Sequence, residues 1–266
     1  MNWLCGFSIS VCVCLCGAGP AEAQAPVPTP SAAPASPDFL THYNFHLSAD
    51  ALASGNERFS WQTHFGGDLD LIDYVAGRLN FLADYEAVLG SEFRRFDPNQ
   101  GNYTLEGSAS VRARDVEIAG VFHHVSRHLS DRPKRFAIAW NVIGVRALRR
   151  FSASGSTVDV QGSVARVLQR SFVDYAWTGD ADVVVRRPMS ARVGVFAHGA
   201  AQLVGVDPAV AGRGMQRAGR LEAGVRFSGR AGGVELFAGF ERRTDADPID
   251  RAPQHWAFAG FRFVSQ

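Results

Sequence analysis

Polar and apolar residues alternate with a period of two along most of the chain beyond about residue 41. Leu79, Phe81 and Ala83 form one series in this pattern, and Asn80 and Asp84 belong to the other. The same alternation recurs in three further segments, 105–111, 175–185 and 221–227. A period of two that persists over this length predicts strands rather than helices, and no segment shows a convincing amphipathic helical pattern. The sequence therefore predicts an all-β protein.

The length and the charge of these segments indicate the kind of β-protein. Strands of about 5–6 residues are typical of soluble sheets, whereas the segments here match the ~9–11 tilted residues that cross a bilayer. Their apolar face suits lipid, and their polar face, with charges of both signs, suits a barrel lumen. Closure of the sheet would leave no unpaired backbone edge in hydrocarbon. We therefore expect a transmembrane antiparallel β-barrel of outer-membrane type; the alternative is a secreted lipocalin-like or sandwich domain.

The pattern predicts about twelve strands, near 42–52, 58–68, 74–89, 103–114, 116–126, 135–149, 157–169, 173–187, 191–204, 215–228, 233–243 and 254–264. An even number places both termini in the periplasm, with short turns on that side and longer loops outside. Most connections fit this rule. The exceptions are 170–172, which is short but external, and 150–156, which is loose but periplasmic.

The first residues predict export. Residues 4–19 are apolar and uncharged, and the small-residue pattern Ala21-Glu22-Ala23 follows them, which is typical of a cleaved secretory signal peptide spanning 1–23. All four cysteines lie in this segment, so a disulfide framework or a cysteine zinc site is excluded from the mature chain. Its removal changes the formal net charge from +1 to +2, since Glu22 is the only charged residue lost. That balance does not suggest a nucleic-acid partner.

Three regions follow from these observations. The signal peptide (1–23) precedes a Pro/Ala-rich segment (24–40), which we interpret as a disordered periplasmic spacer, and residues 41–266 form the barrel. We expect the protein to reside in the outer membrane of a Gram-negative-type bacterium and to use the barrel-assembly machinery in transit.

The stretch "GVFHHVSRHLSDRPKRF" (120–136) holds the candidate chemistry. It begins near the outer end of the fifth predicted strand and continues into an external loop. Ile118 and Phe122 mark the lipid face of that strand, and alternation places His124, Ser126 and His128 on the same face.

A His-x-Ser pair on the lipid-facing side near the external rim resembles the active site of outer-membrane phospholipase A and of lipid A deacylase barrels. The resemblance implies that His124 is a general base and Ser126 a nucleophile, acting on acyl esters of outer-leaflet phospholipid or lipopolysaccharide. A neutral imidazole accepts a serine proton when the two groups lie within hydrogen-bond reach. Here Arg127 and His128 stand where those enzymes typically have Asn and Gly.

The third member of such a triad, an Asn or an acid, should lie on the next strand and share the outward face. Alternation assigns that face to four apolar residues, Phe136, Ile138, Trp140 and Val142. Asn141 is then expected to point inward, unless a β-bulge shifts it. Asp131, in the loop, is a further candidate for orienting a histidine.

The wider sequence, from 69–74 through 123–132, resembles a family of bacterial outer-membrane barrels of unassigned function. Members carry a His-x-Ser-Ser-His-Leu-Gly-Asp run, which is matched here by five residues, His124, Ser126, His128, Leu129 and Asp131. Arg127 replaces the second Ser of that run, and Ser130 replaces the Gly. The candidate catalytic residues are therefore His124, Ser126, His128 and Asp131.

Alternatives to a lipid hydrolase are a non-enzymatic structural or surface-binding barrel, with these residues as a polar rim, and a small pore. The mixed charges of the lumen favour an internal network of ion pairs over a conducting path. A metal site formed by His123, His124 and His128 is disfavoured because adjacent strand residues point to opposite faces. We expect no cofactor; the turns at 96–102 and 244–250 signal calcium only weakly.

Overall fold

The computed structural model describes residue 28, residues 32–130 and residues 135–265. It contains thirteen strands: β1 (Asp38–Phe39), β2 (Tyr43–Ala53), β3 (Trp61–Asp73), β4 (Arg78–Gly90), β5 (Asp97–Ala113), β6 (Val116–Leu129), β7 (Ile138–Ala153), β8 (Ser156–Ser171), β9 (Tyr175–Pro188), β10 (Val193–Val206), β11 (Gln216–Ser228), β12 (Gly232–Arg243) and β13 (Gln254–Ser265). One short helix, α1 (Pro208–Ala211), lies between β10 and β11. Within residues 32–130 and 135–265 no helix is long and apolar enough to cross a membrane.

Strands β2 to β13 form a closed barrel. Each pairs antiparallel with its neighbours in sequence, and β13 pairs with β2 to complete the ring. The two-residue strand β1 adds to β3 beyond the end of its pairing with β2. The predicted all-β, twelve-stranded antiparallel barrel is thus confirmed. Strand pairing begins slightly before residue 41, since Asp38 and Phe39 pair with β3. The predicted signal peptide lies outside the described residues, and both it and the predicted spacer stay predictions.

The alternation along the strands separates the two faces as the sequence predicts. In β4, Arg78, Asn80 and Asp84 are buried in the lumen, while Leu79 and Phe81 are exposed on the outer wall. Similar exposed apolar side chains occur on the outer wall around the whole ring. Such a surface is unfavourable in water but matches the hydrocarbon of a bilayer. The outer wall is therefore a lipid-facing surface.

The connections at the two ends differ in length. The turns at one end span 74–77, 114–115, 154–155, 189–192 and 229–231, and those at the other span 54–60, 91–96, 130–137, 172–174, 207–215 and 244–253. The prediction of a loose connection at 150–156 is wrong, because β7 extends to Ala153 and β8 begins at Ser156. Ser154 and Gly155 form a tight turn in which φ is positive at both residues, 49° and 76°, as the turns that suit two-residue hairpins require.

The external loop predicted at 90–102 is also shorter than expected, because β5 already begins at Asp97. Inward polar side chains hold this early part of the strand. Asn99 donates a hydrogen bond to the Arg58 carbonyl at 2.8 Å, and Asn102 donates to Glu86 Oε2 at 2.7 Å. The residues that resembled a turn in the sequence therefore line the lumen instead.

Ion pairs fill much of the lumen. Arg220 is central to them, with its guanidinium 2.7 Å from Asp50 Oδ2, 2.9 Å from Glu222 Oε2 and 3.1 Å from Glu241 Oε2. Arg243 lies close by, 3.0 Å from Glu241 Oε1. Because these pairs join β2 to β11 and β12, they connect strands across the closure of the barrel. Other ion pairs lie elsewhere in the interior, such as Arg78 with Asp70 and Arg146 with Glu106, as expected from the mixed charges.

The loop between β12 and β13 folds into the outer mouth of the barrel, and we call residues 244–250 the plug. Thr244 to Asp247 are buried. Arg127 of β6 donates hydrogen bonds to the carbonyls of Asp245 (2.7 Å) and Ala246 (3.0 Å). Gln100 of β5 also donates to the Ala246 carbonyl at 2.7 Å. The adjacent strands β5 and β6 therefore hold the plug, which begins at the end of β12 on the other side of the opening.

Ion pairs between the loops at the outer end of the barrel stabilise the plug. Arg213 reaches Asp245 at 2.6 Å and Asp174 at 2.7 Å, and Tyr175 donates to Asp245 Oδ2 at 2.7 Å. Burial tends to raise the pKa of Asp174, but its bonds and proximity to Arg213 and Arg251 outweigh burial and hold that pKa below its ordinary value. The stabilisation is present above the ordinary pKa of an aspartate and is lost only as the pH falls through the depressed value.

We expect Arg220→Ala to destabilise the barrel by about 3–5 kcal/mol, because it leaves buried carboxylates without their cation. The measurement is the free energy of unfolding in urea for protein folded into lipid vesicles. Arg230→Ala is the matched control, since this arginine lies exposed in the turn at 229–231 and its loss should change stability by less than about 0.5 kcal/mol. Equal effects of the two substitutions would contradict the role of the network.

We also expect the protein to show no steady conductance in a planar bilayer, because the plug crosses the outer mouth. Replacing residues 245–250 by a Gly-Ser linker of equal length should produce open-channel events. Heat-modifiable electrophoretic mobility checks that the altered protein has folded. A wild-type protein that conducts as well as the linker variant would show that the plug does not close the lumen.

Candidate active site

The structure places His124, Ser126 and His128 in one row on the outward face of β6, near the outer end of the strand. Phe122 continues the row on the side away from the rim and is exposed. Across the sheet, Tyr103 of β5 lies opposite Ser126, and Asn141 of β7 lies opposite His124. The predicted orientation of the three candidate residues agrees with this arrangement.

Asn141 orients His124. The His124 Nδ1 and Asn141 Oδ1 atoms are 2.6 Å apart, and Asn141 Nδ2 donates to Gln169 Oε1 at 3.1 Å. Because Asn141 uses its NH₂ group toward Gln169, its oxygen is the group that faces the imidazole. An oxygen acceptor requires a proton on His124 Nδ1. The neutral ring therefore leaves Nε2 as a proton acceptor.

The expected inward direction of Asn141 is wrong. Asn141 faces outward, and Ile138 and Trp140, which were expected on the lipid face, are inside the barrel with 1% and 4% exposure. With Val142 they join an apolar cluster whose other buried members are Val125, Val173, Tyr175 and Val204. The outer part of the lumen is packed with hydrophobic side chains here, so hydrophobicity does not mark the lipid-facing side of β7. Phe136 precedes the strand.

A β-bulge brings Gln169 to the site. Asn141 pairs with Gln169 and Val142 pairs with Val167, which leaves Leu168 as an extra residue in β8. The bulge lets the two adjacent residues Leu168 and Gln169 both be exposed. Sequence reasoning missed Gln169; the only signal was this break in the alternation near the end of the strand.

Ser126 bonds to His128 rather than to His124. Ser126 Oγ lies 3.0 Å from His128 Nε2, and the ring of Tyr103 meets the His128 ring edge-on with centroids 5.4 Å apart. An imidazole therefore flanks the hydroxyl on each side along the strand. His128 contacts the Ser126 hydroxyl. His124 lies two residues before Ser126, and Asn141 fixes its orientation.

The remaining candidates lie elsewhere. Asp131 is outside the described residues, and its role stays a prediction. His123 points into the lumen, where its Nδ1 lies 3.3 Å from Glu106 Oε2, so it does not share a face with His124 and His128. Within residues 32–130 and 135–265, no group of three or more His, Cys, Asp or Glu side chains is placed to hold a metal ion.

Arg127 links the site to the plug. Its side chain points inward between Ser126 and His128, and its hydrogen bonds to the plug carbonyls and to Gln100 Oε1 (3.0 Å) fix this end of β6 from the luminal side. The outward side chains on either side of it therefore project from a segment that is anchored across the barrel.

The barrel has a fold in common with solved outer-membrane proteins. No protein-family model matches the chain, and no curated protein matches it. Outer membrane phospholipase A from Escherichia coli is similar in structure, with a TM-score of 0.51 at 13% identity over 85% of this chain and 97% of that one. The Salmonella typhi outer membrane phospholipase, solved as a dimer with bound calcium, is also similar. Its TM-score is 0.51 at 13% sequence identity, over 83% of this chain and 90% of that one. At these identities the likeness shows the fold, that of an outer-membrane β-barrel.

We expect neutral His124 to carry its proton on Nδ1, because Asn141 offers only an oxygen to that atom. Nitrogen-15 chemical shifts of labelled histidine in the micelle-folded protein measure this, with His124→Gln used to assign the signals. Asn141→Leu should shift His124 toward the mixture of tautomers found in free histidine. His123, which contacts Glu106 inside the barrel, is the internal control. An unchanged His124 signal in the leucine variant would contradict the proposed contact.

Proposed function

We propose that the protein is a serine acyl-ester hydrolase that acts on lipids of the outer leaflet. The observation that carries the proposal is that a serine and an oriented histidine lie two residues apart on the same lipid-facing strand face. Ser126 and His124 share that face, and Asn141 contacts His124 Nδ1 at 2.6 Å. A nucleophile, a base and a group that orients the base are the elements of this chemistry.

Ser126 Oγ attacks the acyl carbonyl carbon, and a histidine accepts the hydroxyl proton. The tetrahedral intermediate then collapses, and the alcohol of the lipid leaves with the proton from the imidazolium. Water next attacks the acyl-serine with the same imidazole as base, which releases the fatty acid and restores the hydroxyl. Asn141 Oδ1 keeps the His124 ring in place and stabilises the imidazolium through its hydrogen bond from Nδ1.

We assign the base role to His124 and an auxiliary role to His128. Residues two apart on a strand are separated by about 6.5–6.8 Å, so rotation of the Ser126 hydroxyl about its Cα–Cβ bond turns it from one imidazole toward the other. His124 has its orientation fixed by Asn141 and its Nε2 directed away from that contact. His128 Nε2 lies 3.0 Å from the Ser126 hydroxyl. Catalytic contacts commonly tighten only when substrate binds.

The position of the site suits a substrate that stays in the membrane. The row lies beside exposed apolar residues such as Phe122, Ile143 and Leu105, so acyl chains can pack against the wall while the ester reaches Ser126. The substrate class we propose is outer-leaflet phospholipid or lipopolysaccharide. The similar fold of a barrel named as an outer membrane phospholipase is consistent with this choice. The protein reaches the outer membrane by export and barrel assembly.

The test is release of fatty acid from phospholipid and from lipopolysaccharide by the refolded mature chain, with and without added calcium. Ser126→Ala should lower the rate on the order of 10³-fold or more, since the nucleophile is lost. His124→Ala should lower it about 10²–10⁴-fold, the usual contribution of a general base. Asn141→Ala should lower the rate less than His124→Ala does.

Ser171→Ala is the matched control, because Ser171 is an exposed serine at the outer end of β8 whose hydroxyl bonds the Ala137 carbonyl. It should leave the rate unchanged. No release by the wild type from either substrate would refute the hydrolase. Release that survives Ser126→Ala would assign the activity to other residues, and a larger loss in His128→Ala than in His124→Ala would exchange the two histidine roles.

A further inference from the structure

A second outward-facing polar group of residues lies on the other side of the barrel. Arg217 of β11, Arg242 of β12 and His255 of β13 are exposed near the outer ends of three adjacent strands, and we call them the rim patch. In the ring of twelve strands, β12 is six strands away from β6. The rim patch is therefore opposite the candidate active site and separate from it.

The register brings the three side chains together. Arg242 pairs directly with His255, and Gly219 pairs with Arg242. Arg217 lies two residues beyond Gly219 toward the outer rim, which makes it a diagonal neighbour of Arg242. Directly opposed side chains have Cβ atoms about 4.5–5.5 Å apart, and diagonal neighbours about 7–8 Å. Both guanidinium groups can thus reach one small anion, and Gly219 places no side chain between them.

Nearby carboxylates do not neutralise the rim patch. On the same strands, Glu222, Glu235 and Glu241 point into the lumen and are buried. The plug carboxylates also turn away: Asp245 bonds to Arg213, and both Asp247 and Asp250 bond to Arg58. Among the described residues, the side chains of Arg217, Arg242 and His255 form no ion pair or hydrogen bond. Two neighbouring like charges repel each other, so the arrangement favours an anionic partner.

The surface on the membrane side of the rim patch is strongly apolar. Leu221 and Phe240 pair directly with each other, one outward position deeper than Gly219 and Arg242. They are 63% and 70% exposed. Cationic groups at the rim above an apolar wall match a molecule that has an anionic head and hydrocarbon chains.

We propose that the rim patch binds the phosphate of an outer-leaflet lipid, with its acyl chains against Leu221 and Phe240. Arginine is suited to this ligand because its planar fork of donors matches phosphate oxygens bidentately. The rim location places the two guanidinium groups at the level of lipid head groups, and the barrel wall below provides the chain contact. This site is independent of the hydrolase and would hold a lipid that is not being cleaved.

The experiment measures binding of lipid A that bears both phosphates, and of the same lipid after dephosphorylation, to the mature chain folded in detergent micelles. Native mass spectrometry gives the bound fraction across a titration. Arg217→Gln with Arg242→Gln should weaken binding of the phosphorylated lipid about tenfold or more, the effect of losing charge-assisted hydrogen bonds. The dephosphorylated lipid should bind weakly to all forms.

Arg187→Gln is the matched control, since Arg187 is also exposed on the outward side but lies at the opposite end of the barrel, near the end of β9. It should bind lipid A as the wild type does. The single variants R217Q and R242Q serve if the double variant does not acquire heat-modifiable mobility. Equal binding by wild type and the rim-patch variants, or equal binding of the dephosphorylated lipid, would overturn the proposal. Displacement of the lipid by an equimolar amount of inorganic phosphate would instead indicate a site for the free anion and would also overturn it.

Discussion

Closure of the backbone hydrogen-bond network is the constraint on which this structure depends. A strand in hydrocarbon has no water to satisfy its N–H and C=O groups, so each must pair with a neighbouring strand. The twelve long strands meet this condition because β13 returns to β2. Once the ring is closed, alternate side chains along each strand face either the lipid or the narrow interior.

Many side chains of the interior are charged, and burying a charge without a partner is energetically costly. Ion pairs compensate these charges. Arg220, for example, has three carboxylate partners, which come from β2, β11 and β12. Near the outer mouth, the interior is filled by hydrophobic packing around Trp140 and by the plug. The plug carbonyls accept hydrogen bonds from Arg127 and Gln100. A lumen filled in these ways favours a function on the outer wall over transport through the centre.

Against a lipid-facing wall, clustered polar side chains stand out. The row of His124, Ser126 and His128 is one group, and its polar atoms have partners within the group or on the adjacent strands β7 and β8. The rim patch is the other, and its arginines have no partner among the described residues. The first arrangement resembles a reaction centre because its contacts orient an acceptor nitrogen and a hydroxyl. The second resembles a binding site because its charges remain free for a ligand.

The sequence by itself determined the barrel, the number of strands and the outward direction of His124 and Ser126. These depend on a local property, the two-residue repeat of a strand, which any stretch of regular alternation displays. The direction of Asn141 and the presence of Gln169 at the site were decided only by the tertiary structure. Apolar packing from β6 and from residues near β9 and β10 draws Trp140 inward, and an extra residue in β8 brings Gln169 beside Asn141. Both effects arise from contacts between strands, so the regular two-residue repeat of a single strand predicts neither of them.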